Sequence, residues 1–326
     1  MIFAALSPFT FTPSATDWVR ILPELIMLGT GLLILLADLV GAPGRKGWLA
    51  LVGLAGVIAT IVVTAILWAN GPNGDAFNGM VNDDRVTLFA NVVILFAVGV
   101  GLLFSPGYIE RQNIIHEGEY YTLMILAALG MMLMSAASNL MILFVGLEIL
   151  SLALYILSAI VTARRRSQEA GMKYFILSSF ASAFLLYGMA LTYGATGATN
   201  LSAIRAFIAG HPNFPLNSGF GPLLLVALGL MAVGFCFKVS AIPFQAWTPD
   251  VYVGAPTSVT AFMSVGTKVA AFVGLARVFF YALPALRVEW EPVFWAIAVL
   301  TMIGGTLLAA SQRDVKRMLA YSSVTN

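Results

Sequence analysis

The chain has 326 residues, of which 60% are hydrophobic and 10% charged, with a formal net charge of +2. A water-soluble domain carries roughly 25% charged residues, so a soluble globular fold is excluded; the apolar content excludes a disordered chain. The small, dispersed charge also excludes a nucleic-acid surface. What is left is an all-α, polytopic membrane bundle, in which the 30 glycines let helices approach closely.

The opening stretch, MIFAALSPFTFTPSATDW, lacks a positive n-region and a cleavage site, so no removable signal peptide is expected. A bilayer core about 30 Å thick needs about 20 apolar residues per helix. Nine such runs follow in order: 21–40, 47–68, 86–105, 119–136, 139–162, 170–193, 222–244, 255–281 and 291–311. A tenth begins at RMLAYSSVTN. The runs are continuous rather than alternating, which excludes barrel strands. The longest connections, near 69–85, 106–118 and 195–220, read as loops too short to hold a core of their own.

Loop charges predict the orientation. Arg45, Lys46, Arg111, Arg164, Arg165, Arg166, Arg313, Lys316 and Arg317 fall on one side, and Arg20, Arg85, Arg205 and Arg287 on the other. The first side is expected to be cytoplasmic, with the N-terminus outside. The Arg164–Arg166 run reads as a topology anchor.

Ionisable residues inside the runs cost about 2.5–3.5 kcal/mol each on insertion scales, so they are candidate functional groups. Glu148 lies nine residues into its run, with Ser151 and Tyr155 at i+3 and i+7 on the same face. Lys238 lies sixteen residues after Pro222, and Lys268 thirteen after Ala255, with Thr267, Ser264 and Thr260 as polar neighbours. Lys173 follows Glu169 by four residues at a helix end, where an ion pair or snorkelling is the simplest reading. Arg277 fits the same reading. A lysine moved into an apolar interior loses solvation of its charge, and a carboxylate alongside restores it. Movement of Glu148 relative to Lys238 would therefore switch the lysine between holding and releasing a proton.

Pro243 donates no hydrogen bond and clashes with the carbonyl of Val239, so the helix should break just after Lys238 and leave free carbonyls there. Broken helices at membrane depth occur where they line an enclosed cavity, and transporters use them as ion sites. Redox and nucleotide chemistry have no visible home. The single Cys236 holds neither a disulfide nor an iron–sulfur cluster, and His116 and His211 are far apart. Neither a GxxxxGK[ST] loop nor a GxGxxG turn is present.

The run KVSAIPFQAWTPDVYVGAPTSVTAFMSVGTK resembles the core of the antiporter-like subunits of respiratory complex I, a family that includes subunits of multi-component cation/proton antiporters and membrane-bound hydrogenases. MSAASNLMILFVGLEILSLALYIL and EAGMKYFILSSFASAFLLYGMALTYGATGATNL resemble, more narrowly, the subunit N branch of NADH:quinone oxidoreductase. The resemblance implies a proton path along the membrane mid-plane through Glu148, Lys238, Lys268 and Lys173, with Glu148 and Lys238 as the coupling pair. It thus argues for a relay role for Lys173, against the local reading. It further implies that NADH, flavin, iron–sulfur clusters and quinone sit on other subunits, that sibling antiporter-like subunits and the bilayer are the partners, and that the site is a bacterial inner membrane rather than an organellar one.

Two departures stand out. Gln245 occupies a position where related subunits often carry histidine. Family members have about fourteen helices in two inverted five-helix repeats, so the chain is expected to be a C-terminally truncated form. Its expected partition is a three-helix segment (1–118), a complete first repeat (119–283) and the start of a second (284–326). The rival readings are a cation/proton antiporter subunit and a structural scaffold with fixed ion pairs.

Overall fold

The computed structural model describes residues 13–40, 46–71, 74–211 and 221–326. Residues 1–12 of the opening stretch read for a signal peptide, Arg45 and part of the 195–220 connection fall outside the described residues.

Nine helices among the described residues are long and apolar enough to cross a membrane, and they coincide with the nine predicted runs. They are α2 (Leu22–Val40), α3 (Leu49–Asn70), α4 (Arg85–Gln112), α5 (Glu117–Ala136), α6 (Leu140–Ala159), α7 (Arg165–Thr196), α9 (Gly221–Val239), α11 (Thr257–Ala276, continuing as a π turn over Arg277–Ala282) and α12 (Arg287–Ala310). A short α1 (Ala15–Arg20) precedes them and α13 (Val315–Thr325) follows.

Helix starts are set by side chains that accept the orphan amides of the first turn. Asp84 accepts from the amide of Thr87 at 2.8 Å, Asn139 from Met141 at 2.9 Å, and Asn200 from Ser202 at 2.9 Å. Gly197 closes α7 at φ 69°, its amide bonded to the Tyr193 carbonyl at 2.7 Å; that left-handed geometry favours glycine. At ~1.5 Å per residue, α7 exceeds the bilayer core and reaches beyond it.

The structure adds elements that hydropathy alone leaves out. The 69–85 connection contains a hairpin pairing β1 (Asp75–Ala76) with β2 (Val81–Asn82). The 195–220 connection contains an amphipathic α8 (Leu201–Ala209), which buries Leu201, Ile204 and Ile208 at helical spacing. The predicted run 222–244 stops early, at Val239, and a separate α10 (Trp247–Gly254) follows the break.

Close helix packing holds α6 in place. Gly130 of α5 and Gly146 of α6 face one another: a Cβ on Gly130 would meet the Leu150 amide nitrogen at 2.4 Å, and one on Gly146 the Met134 nitrogen at 2.6 Å. Small residues at such crossings let backbones touch. Above this contact, α6 carries Glu148 and Ser151.

Charged side chains gather at two opposite ends of the bundle. At one, Lys46 pairs with Asp38 at 2.8 Å, and Arg317 with Asp250 at 2.5 Å. At the other, Arg277 donates to Asp84 at 2.8 Å, to the Ser135 carbonyl at 2.6 Å and to Thr87 at 2.6 Å. Arg277 thus stitches α11 to α4 and α5 as a fixed ion pair.

Candidate functional site

The break after α9 organises the site. Ser240 adopts φ 67°, its amide bonds the Phe237 carbonyl at 3.0 Å, and the Ala241 amide bonds that of Cys236 at 2.8 Å. This pair of bonds is a Schellman cap with serine in the left-handed position usually taken by glycine. The Ser240 hydroxyl accepts from Thr248 at 2.7 Å, tying the cap to α10. Pro243 lies in the turn that follows, where the Phe244 amide reaches the Ala241 carbonyl at 2.6 Å.

The expected free carbonyls are therefore only partly present. Those of Cys236 and Phe237 are occupied, the latter also by the Trp247 indole N–H at 3.0 Å. The reason is local: a Schellman cap recaptures carbonyls that a plain proline break would leave open.

Lys238 lies within the capped turn, two residues before Ser240, and is 3% exposed. Its Nζ donates to Ser151 Oγ at 2.6 Å and lies 3.4 Å from the Tyr174 hydroxyl. Ser151 in turn donates to the Leu147 carbonyl. The Trp247 ring stacks on Tyr174 with centroids 4.6 Å apart and walls the pocket. The adjoining recess, bounded by Ser178, Ser182 and Gly234, has no room for a water molecule.

Glu148 makes no ion pair with Lys238, and its Oε1 is buried with no hydrogen-bond partner among the described residues. It lies one helical turn before Ser151. The Tyr155 hydroxyl is likewise buried and unpartnered, and its ring packs edge-on against Tyr174 at 4.9 Å. Glu148, Ser151, Tyr155 and Lys238 are thus brought together, although serine rather than carboxylate touches the lysine.

The other predicted residues lie apart from this pocket. Lys173 bonds Glu169 at 2.7 Å and Asp250 at 2.6 Å, and Asp250 also holds Arg317. That four-residue network borders a cleft of about 400 Å³ at the charged end of the bundle. Lys268 is half-buried on α11. Its expected polar neighbours turn to backbone instead: Thr267 to the Met263 carbonyl at 2.5 Å, Ser264 to Ala261 at 2.9 Å, and Thr260 to Tyr252 at 3.1 Å.

Tyr174 and Trp247 were not singled out by sequence reasoning. Both lie beside residues that were, Lys173 and the QAWTPD run, but an aromatic in an apolar segment carries no signal that separates a pocket wall from core.

Nine apolar spans among the described residues, one of them broken beside a buried lysine, define a polytopic membrane protein. More particularly, the chain belongs to the NADH:quinone oxidoreductase/Mrp antiporter membrane family, whose model matches residues 137–326. It is 40% identical to a NADH-quinone oxidoreductase subunit N of Trichlorobacter lovleyi, over 94% of this chain and 61% of that protein. It is 41% identical to one of Chloroflexus aggregans, over 97% and 63%. A chain of respiratory complex I from Thermus thermophilus superposes with a TM-score of 0.74 at 33% identity, over 93% of this chain and 62% of that one. A chain of an archaeal membrane-bound sulfane sulfur reductase shares the fold, with a TM-score of 0.77 at 24% identity over 94% and 62%. The chain spans about three-fifths of the length of these relatives.

Proposed function

We propose that the chain is a proton-translocating membrane subunit of an NADH:quinone oxidoreductase, in which Lys238 exchanges the proton and Glu148 governs when. The observation that carries this reading is the Lys238 pocket. An ammonium with hydroxyl partners and no carboxylate in contact is a site whose charge can come and go, whereas a tight buried ion pair would lock it. Ser151 and Tyr174 are groups through which a proton can pass, and Glu148, unpartnered one turn away, is the movable charge. With no water-sized space beside Lys238, exchange requires the pocket to open, which gives neighbouring subunits a point of control.

Lys173 and Lys268 extend the path on either side. The Lys173–Asp250–Arg317 network forms its charged mouth, and Lys268 is reached through bridging water rather than through direct contacts. NADH, flavin, clusters and quinone belong to partner subunits. The arginine-rich end faces the cytoplasm of a bacterial inner membrane, with the N-terminus outside.

The test is Lys238→Met in the assembled complex, reconstituted in vesicles. Loss of NADH-driven acidification, with assembly intact, supports the assignment. Unchanged proton pumping refutes it and favours a scaffold. A sodium-dependent pH change that ignores NADH and quinone refutes it in favour of a cation/proton antiporter.

A further inference from the structure

A second group of buried carboxylates lies at the opposite end of the bundle from the Lys173 network, among elements the relay does not use. Glu24, in the first turn of α2, is 5% exposed, and Asp83, between the hairpin and α4, is 6% exposed. Both line a small pocket of about 10 Å³ together with Arg20, Asn82 and Thr87, which is about the space of one water molecule.

Three buried acceptors in and beside the pocket lack a donor. Asp83 Oδ2, Asn82 Oδ1 and Asn91 Oδ1 are all buried with no hydrogen-bond partner among the described residues. Asn91 gives its amide to Glu24 Oε1 at 3.3 Å, and Asn82 gives its own to Asp75 at 2.9 Å. Glu24 and Asp83 line the same water-sized pocket, where two negative charges would repel each other. Isolated buried carboxylates are costly in the ionised form, and two at one site do not both stay ionised.

The surrounding charges do not remove this conflict. From α1, Arg20 attracts Asp83 but also bonds the Asp75 carbonyl and pairs with Asp17. Asp84, next in the chain, adds repulsion, and its own counter-ion is Arg277 of the π turn. From α5, only Leu133 and Ala136 line the pocket. A hydrogen atom is what the acceptors lack.

We propose that Glu24 and Asp83 together hold one exchangeable proton, bridged by a single water, at this end of the membrane and outside the Glu148–Lys238 pair. The proton supplies the missing donor and removes one of the two negative charges. In agreement, burial pushes the Asp83 carboxyl up from 3.8 to about 6, with Arg20 opposing and Asp84 adding to the shift.

The site is testable without measuring pumping. Infrared difference spectra of the intact complex in liposomes, titrated in pH, should show a carboxylic-acid carbonyl band that vanishes as pH rises and shifts in heavy water. Asp83→Asn combined with Glu24→Gln should abolish the band, and either replacement alone should change its midpoint. Lys238→Met should leave the band in place, which separates this site from the proposed relay. A band that survives the double replacement, or a midpoint that either single replacement leaves unchanged, overturns the proposal. Loss of the band when choline chloride is replaced by sodium chloride at constant pH also overturns it, since a metal cation would then be the occupant.

Discussion

The glycine contact between α5 and α6 offers a direct way to move the candidate site without touching it. Gly130→Ala places a Cβ 2.4 Å from the Leu150 nitrogen, and ordinary contact begins at 3.4 Å, so α6 must retreat by about 1 Å. Ser151 Oγ lies 2.6 Å from Lys238 Nζ, and a shift of that size along the bond takes the pair to about 3.6 Å, outside hydrogen-bonding range. Overpacking of this kind costs about 1–3 kcal/mol. A displacement of about 1 Å at a reacting group costs on the order of 100-fold in rate. Gly107→Ala is the control: nothing lies within 4 Å of its Cβ, and it gains the same helix propensity. Thermal unfolding in detergent and vesicle acidification by the assembled complex should both fall for Gly130→Ala relative to Gly107→Ala. Equal melting temperature and equal pumping in the two variants would refute the idea that this crossing positions α6.

Arg277→Met keeps the length of the side chain but removes the bonds to Asp84, Thr87 and the Ser135 carbonyl. Hydrogen bonds to charged groups contribute about 1.5–3 kcal/mol, so denaturant unfolding should shift by about that amount, and Arg277→Lys should recover part of it. Asp83 gives a pH dependence of definite sign. Its carboxyl sits near 6 in the folded chain against 3.8 unfolded, so the native state binds the extra proton between those values. Stability should therefore fall as pH rises from about 4 to about 6, then level off. Direct conversion of the shift is about 3 kcal/mol, and solvent screening at the membrane rim reduces it to about 1–2 kcal/mol. Asp83→Asn should flatten this slope in denaturant titrations repeated across pH.

The spans were legible because a bilayer demands long apolar runs, and each of the nine runs became a helix. What hydropathy does not encode is where a run stops for local reasons. The 222–244 run ends at Val239, where Pro243 leads to the expectation of a break just after Lys238. What an apolar stretch does not show is that a left-handed Ser240 makes the cap. The short α8 escapes a search for spans because nine residues fall far below the length a bilayer demands. In the site, Glu148, Ser151 and Lys238 were legible as charges and hydroxyls in the wrong solvent. Their mutual geometry was not: Ser151 and Lys238 are 87 residues apart in sequence, and only packing shows that serine intervenes. Lys173 shows the same limit. Its partner Glu169 follows from spacing, whereas Asp250, 77 residues away, does not.

The π turn at Arg277–Ala282 bears on how this helix is compared with its relatives. Its amides reach back five residues instead of four, so the turn accommodates one residue more than an α-helix would. A relative lacking one residue there would close the turn as ordinary α-helix and deliver Leu283 and Leu286 to the same buried places. A single-residue gap placed within 277–282 is therefore structurally silent, while the same gap beside Lys268 would rotate every downstream side chain by about 100°.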